Sequence, residues 1–298
     1  VSFTWDAGST HSFEWKSPVS AGTSKRYVWT STSGISNKRS GSFTVPNNGG
    51  SITASYKTQY LLTVETSSGG TTSPAPGSSW KDANSKVDVT AKPNTGYTLD
   101  HWELDGKNVG SKNPYTVTVD KSHTLKVVFA LSQYTLTVRV RELGASGIEG
   151  VTVLIDGHSY RTNRNGEVKK TVTYGTHTVK ISSPYSPSSG TRFVFVKWSD
   201  GSRSNPRSVS VTGGKTVTAY MKRQYYLTMK AGTGGSVSPS SGWHDAGAEV
   251  QIKASANSGY RFDGWSGSGS GSYSGRDNPA KVRMNGPITE TASFIKVG

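Results

Sequence analysis

Gln59-Tyr60-Leu61-Leu62-Thr63-Val64 recurs as Gln133-Tyr134-Thr135-Leu136-Thr137-Val138 and as Gln224-Tyr225-Tyr226-Leu227-Thr228-Met229. Aromatic, aliphatic and hydroxyl side chains alternate in each copy with the period of two of a half-buried β-strand. The copies lie 74 and then 91 residues apart, which points to one small module written several times.

The last copy opens the clearest module, residues 224–298. A turn follows at Gly234-Gly235-Ser236-Val237-Ser238-Pro239, then Trp243-His244-Asp245-Ala246 leads into alternating Val250, Ile252 and Ala254. Gly259-Tyr260-Arg261-Phe262-Asp263-Gly264-Trp265 reads as a third strand, and the Gly/Ser run behind it as a mobile hairpin tip. Asn278-Pro279 starts a fourth strand, Asn285-Gly286 reads as a hairpin turn, and the last strand closes on Phe294. Residues 59–132 repeat this order through Trp80, Trp102, Asn113-Pro114 and Phe129. Residues 133–223 open on the signature, differ behind it, and return to the pattern at the back with Trp198 and Asn205-Pro206. Their front half, with Asp156-Gly157 and Asn165-Gly166 as hairpin turns, is expected to form a small antiparallel meander. Residues 1–58 follow the pattern from Trp5-Asp6-Ala7 onward without the opening signature, so this first unit is expected to be one strand short. The predicted architecture is all-β: a tandem array of four small antiparallel modules, each a sandwich, an open barrel or a β-grasp-like fold. Gly, Pro and β-branched residues interrupt every candidate helix.

Composition agrees with small β modules. Only 32% of the 298 residues are hydrophobic, and there is no Cys, which excludes disulfides and thiolate chemistry. No apolar run approaches the roughly 18 residues that span a bilayer. Val1 in place of Met suggests a processed chain or a fragment. No Asn-x-Ser/Thr acceptor for N-glycosylation occurs. The net charge is +15, and residues 133–223 carry most of it, with 14 Lys and Arg against 5 Asp and Glu. Arg161, Arg164, Lys169, Lys170, Arg203 and Arg207 are therefore the candidate contact set, for an anionic polysaccharide, an anionic envelope or a partner chain. A nucleic-acid role would need interleaved exposed aromatics and a recognisable module, and neither is evident.

Seven of the eight Trp fall at two repeated positions: Trp5, Trp80 and Trp243, and Trp29, Trp102, Trp198 and Trp265. Repetition at a fixed position is expected of core plugs. The six His residues show no metal-ligand spacing, and no nucleophile elbow or phosphate loop is present. No catalytic residue, metal or cofactor is expected.

The succession Tyr225-Tyr226-Leu227-Thr228, Gly235-Ser236-Val237-Ser238-Pro239, Gly259 to Trp265, Asn278-Pro279 and Thr291-Ala292-Ser293-Phe294 resembles the divergent internalin B-repeat family. Gly150 to Ile181 resembles the carboxypeptidase-regulatory-like β inserts found beside such repeats. The resemblance implies a bacterial or archaeal surface protein, extracellular, whose repeats act as spacers, stalks or adhesive modules and whose partners are neighbouring copies or other surface proteins. Strand addition to the first unit, from the tail Ile295-Lys296-Val297-Gly298 or an upstream segment, is a further expectation, with head-to-tail filaments as its product. The alternative is a carbohydrate-binding appendage of a secreted hydrolase.

Overall fold

The computed structural model describes all residues, Val1–Gly298. Every element is a strand. The chain forms two compact units, Val1–Ser132 and Gln133–Gly298, and the boundaries expected from the sequence at 58/59 and 223/224 divide each of them in two.

Residues 59–132 show the plan. Strands Ile52–Thr66, His123–Leu131, Tyr97–Leu104 and Lys107–Asn108 make one sheet, and Gly70–Ser73, Lys86–Pro93 and Tyr115–Thr118 make a second. Alternation sends Leu62, Val64, Leu125 and Val127 from the first sheet, and Val89, Ala91 and Val117 from the second, into one shared core. Trp102 fills its centre, fully buried, and its indole N–H donates to the Lys112 carbonyl at 3.0 Å. Truncating such a side chain to Ala costs about 3–5 kcal/mol.

The modules are not wholly antiparallel, which corrects the sequence reading. The opening strand pairs in parallel with the closing strand of its own repeat: Leu62 opposite His123, Val138 opposite Val217, and Leu227 opposite Ile288. A parallel first and last strand lets the chain leave a repeat pointing as it entered, so repeats can follow one another without a return loop. At two of the three junctions the closing strand of one repeat continues unbroken as the opening strand of the next. Ile52–Thr66 runs from the first repeat into the second, and Lys215–Ala231 from the third into the fourth. The boundaries drawn at 58/59 and 223/224 thus fall inside strands, whereas 132/133 falls at the single residue Ser132 between His123–Leu131 and Gln133–Glu142. Along the second long strand, the step from Lys215 to Leu227 spans about 40 Å at ~3.3 Å per residue.

The Asn-Pro landmark is a side-chain rung. Asn113 accepts the Ala91 N–H at 2.8 Å and donates to the Ala91 carbonyl at 3.1 Å. Asn205 does the same with Ile181, and Asn278 with Ala254. Each amide completes a second-sheet strand where a backbone partner ends.

In residues 133–223 the front half is not a meander. Asp156-Gly157 does make the expected hairpin between Thr152–Ile155 and His158–Arg161. Asn165-Gly166 instead carries the chain across the sandwich, so that Glu167–Thr173 pairs with Gln133–Glu142 in the opposite sheet. Val168 and Val179, on successive strands that lie in different sheets, enter the same core from its two sides. Asn285-Gly286 also crosses between sheets, from Ala280–Arg283 to Ile288–Lys296.

The Gly/Ser run of the fourth repeat is tied down. The Trp265 N–H donates to the Gly275 carbonyl at 2.8 Å, and the Arg283 N–H to the Gly271 carbonyl at 2.9 Å. Gly271, at φ 92°, lies so close to the Arg283 carbonyl that any side chain would collide with it. Tyr273 packs on the core, and its N–H donates to the fully buried Glu290 carboxylate at 2.7 Å.

The first repeat has no core of this kind. Each of the other three repeats encloses a cluster of buried apolar side chains, whereas Phe13, Trp15, Phe43 and Ile52 here line an open groove of about 690 Å³. On the side of Ile52–Thr66 where the complete repeats carry an opening strand, Ile52–Lys57 has no partner; its only ladder is to Lys25–Gly34.

Candidate functional site

The repeated Gln of the signature is the centre of a clasp between repeats. Arg26 Nε donates to Gln59 Oε1 at 2.8 Å, Gln59 Nε2 donates to Asp82 Oδ1 at 2.7 Å, and Lys57 Nζ reaches Asp82 Oδ2 at 2.9 Å. The Arg26 guanidinium covers the Trp80 ring at 4.5 Å. The second long strand carries the same set: Arg192 to Gln224 at 2.8 Å, Gln224 to Asp245 at 2.7 Å, Lys222 to Asp245 at 2.9 Å, and Arg192 over Trp243 at 4.4 Å. The Gln amides first, and the Lys ammonium groups second, hold Asp82 and Asp245 below the ordinary carboxylate range. Each cation–π contact is worth about 0.5–2 kcal/mol, and every hydrogen bond of the clasp has at least one ionised partner.

Trp80 and Trp243 are therefore not core plugs, which corrects the sequence reading. Both are half-buried beneath an Arg of the preceding repeat. Trp102, Trp198 and Trp265 do fill cores, at 0%, 0% and 4% exposure. Trp5 does not share the Trp80 position. Asp6 and Asp82 both accept a hydrogen bond from the Ser three residues on, at 2.6 Å, which aligns Thr4 with Trp80. Trp5 is 39% exposed and stacks between Phe3 and His11.

Sequence reading missed Arg26, Lys57, Asp82, Arg192, Lys222 and Asp245. A signal was present: Lys57-Thr58-Gln59 matches Lys222-Arg223-Gln224, and Trp80-Lys81-Asp82-Ala83 matches Trp243-His244-Asp245-Ala246. Gln133 has neither companion, and it is exposed at the boundary between the two compact units.

The basic set does not converge on one surface. Arg161 ends the edge strand His158–Arg161, Arg164 lies in the crossing loop, and Lys170 sits 4.2 Å over the Tyr160 ring, so these three share one edge. Lys169 is on the opposite face of its strand from Lys170 and pairs with Glu167 at 3.3 Å. Arg203 and Arg207 lie by the strand Arg207–Val211, at the far edge of the sheet ordered His158–Arg161, Thr152–Ile155, Gly175–Ile181, Arg207–Val211. Arg207 is bound to Asp200 at 2.8 Å and covers Trp198 at 5.1 Å. No group of three or more His, Asp or Glu side chains is arranged to hold a metal ion.

The family described as the divergent InlB B-repeat domain matches residues 60–133 and 225–298. No curated protein matches the chain. Among solved structures, the chain is similar to the Bacillus anthracis TIE protein at 11% identity and a TM-score of 0.37, with 91% of this chain and 59% of that one covered. It is also similar to a streptococcal ancillary pilin, at 9% identity and a TM-score of 0.25 over 79% of this chain and 99% of that one. The pilus adhesin SpaC from Lactobacillus rhamnosus GG is similar at 10% identity and a TM-score of 0.28, over 72% and 42%. The chain thus spans about three-fifths of the TIE protein's length.

Proposed function

We propose, from a chain that belongs to the divergent InlB B-repeat family through residues 60–133 and 225–298, that it is a non-enzymatic, load-bearing stalk of a prokaryotic cell surface, displayed outside the cell. Its family and its repeat architecture fit a surface structural or adhesive role. The observation that carries the stalk reading is the parallel pairing of opening and closing strands, continued through the long strands Ile52–Thr66 and Lys215–Ala231. Tension along the chain pulls the opening strand one way and the closing strand the other. All the rungs of that pair are then loaded in shear at once, instead of one after another as in an unzipping hairpin. Constant-velocity pulling of the full chain tests this. Each complete repeat should break in one high-force event, with an extension set by the residues between its opening and closing strands. A gradual low-force lengthening counts against a load-bearing role.

The open edge of the first repeat supports strand addition as the means of assembly. Ile52–Lys57 has free backbone groups above an apolar groove, and in the other repeats the corresponding edge holds an opening strand in parallel register. The tail Ile295-Lys296-Val297-Gly298 of a neighbouring copy, or a segment outside these residues, would serve as donor, and the contact is head-to-tail. Sedimentation over a range of concentrations, with amide exchange at Ile52–Lys57, distinguishes the outcomes. Assembly with protection at that edge is expected. A monomer at every concentration, with fast exchange there, removes strand addition while leaving the stalk reading intact.

A further inference from the structure

The joint between the third and fourth repeats holds a cleft of about 560 Å³. One wall is the hairpin tip at Ser189 and Gly190, fixed because the Tyr226 N–H donates to the Gly190 carbonyl at 2.9 Å. The other wall is the start of the Gly/Ser run, where Ser268 pairs with Thr289 and the Gly269 carbonyl accepts the Ser272 N–H at 3.2 Å. The floor is the Tyr226 and Trp243 pair, edge to face with ring centres 5.2 Å apart. Ser189, Thr228, Ser268 and Thr289 complete the lining, and none of their hydroxyls bonds to another protein group. No ionised side chain lines the cleft, and Arg192, which covers the Trp243 ring, is held there by Gln224.

The first joint supplies an internal comparison. It has the same clasp, but Leu61 stands where Tyr226 stands, and Thr63, the counterpart of Thr228, spends its hydroxyl on Ser78 at 2.9 Å. Tyr226 and the unengaged hydroxyls are thus not required to hold two repeats together. A rigid, uncharged cleft with aromatic rings on its floor and hydroxyl groups at its sides offers what a neutral sugar needs. The rings take the apolar C–H faces, and hydroxyls that both donate and accept match a ligand whose groups do the same.

We propose that this cleft binds a neutral saccharide of two or three units, with Tyr226 and Trp243 as the stacking floor. The site is independent of the stalk reading, since it concerns what the joint holds and not how it bears load.

Titration calorimetry of the full chain tests the site, with cellotriose, mannotriose and triacetylchitotriose as probes and a heparin-derived tetrasaccharide as the charged comparator. Saturable binding of at least one neutral probe at millimolar or lower concentration is expected. Tyr226→Leu installs the residue of the first joint and keeps the fold. It should weaken binding at least tenfold, as should Thr228→Val combined with Ser268→Val. Trp80→Ala, at the first joint, should leave binding unchanged. No heat with any neutral probe, binding of the charged probe alone, or binding that survives Tyr226→Leu each overturns the proposal.

Discussion

The guanidinium of Arg192 lies 4.4 Å from the centre of the Trp243 ring. It reaches that ring from the preceding repeat, and Gln224 holds it there while also holding Asp245. One neutral amide thus joins a cation and an anion that belong to different repeats.

Replacing that amide should loosen the joint. Gln224→Leu leaves Arg192 Nε and Asp245 Oδ1 without their partner, an expected loss of about 1–3 kcal/mol. Gln59→Leu should do the same at the first joint. Gln133→Leu should change stability by less than about 0.5 kcal/mol, because Gln133 is exposed and lacks the clasp residues. Chemical denaturation of the three variants, with small-angle scattering to follow loosening of the joints, checks the ranking.

Glu290 occupies a core position. Its counterparts are Leu125 and Val217, yet it is a fully buried carboxyl with one oxygen lacking any partner. Burial raises its pKa above 4.5, and the hydrogen bond from the Tyr273 N–H opposes that only in part. A raised folded pKa means that the folded protein holds the proton more tightly than the unfolded chain. The penalty is absent below pH 4.5, grows as pH rises toward the folded pKa, and is constant above it. Glu290→Leu should therefore stabilise the fourth repeat by about 1–3 kcal/mol at neutral pH and by less at pH 4. Urea melts at both values would contradict this if the gain were equal at the two, or reversed at neutral pH.

His177 and Asp156 make a pH-dependent clip at the hairpin of the third repeat, with Nδ1 and Oδ2 2.6 Å apart. Burial acts to lower the His177 pKa, but the Asp156 carboxylate and the Thr173 carbonyl outweigh it, and the net shift is upward from 6.5. Asp156 is likewise opposed by burial, and the His177 ring and Thr178 amide bring it below 3.8. The His contribution is full below pH 6.5 and disappears as pH rises through its folded pKa. The Asp contribution is present above pH 3.8 and disappears as pH falls through its own folded pKa. The clip should thus stabilise most between about pH 4 and 6.5. NMR titration of the His177 ring, with thermal melts of His177→Asn across pH, should show the variant's deficit concentrated in that window.

The side-chain rungs should be costly to remove. Asn205→Leu deprives the Ile181 N–H and carbonyl of their partners at a fully buried residue, each orphaned group costing about 1–3 kcal/mol. Asn205→Asp restores the acceptor but cannot donate to the Ile181 carbonyl, so partial rescue is expected. Hydrogen exchange at the Ile181 amide and the melting temperature report the two losses separately.

The β-strands, their alternation and the cores at Trp102, Trp198 and Trp265 were legible in the sequence, because a period of two and a repeated aromatic are local signals. Long-range direction was not. Nothing within Gln59 to Val64 says that its neighbour His123–Leu131 runs parallel, and nothing in Asn165-Gly166 separates a hairpin from a crossing between sheets. The joints were half legible. Their residues recur at fixed offsets, but a repeated Trp reads equally well as a plug or as a platform until its Arg is seen above it. The placement of the basic set was not legible for a related reason: charge per segment counts residues without knowing which edge each one occupies.

The duplication visible in the sequence and the pieces that the fold allows to be exchanged are offset by half a strand. A recombination breakpoint at the Gln-Tyr signature would cut Lys215–Ala231 through its middle, parting Arg192 from Trp243 and leaving each half with a raw edge. A breakpoint at Ser132 severs no strand and no clasp. Shuffling, grafting or lengthening of this chain should therefore succeed in pairs of repeats and fail in singles.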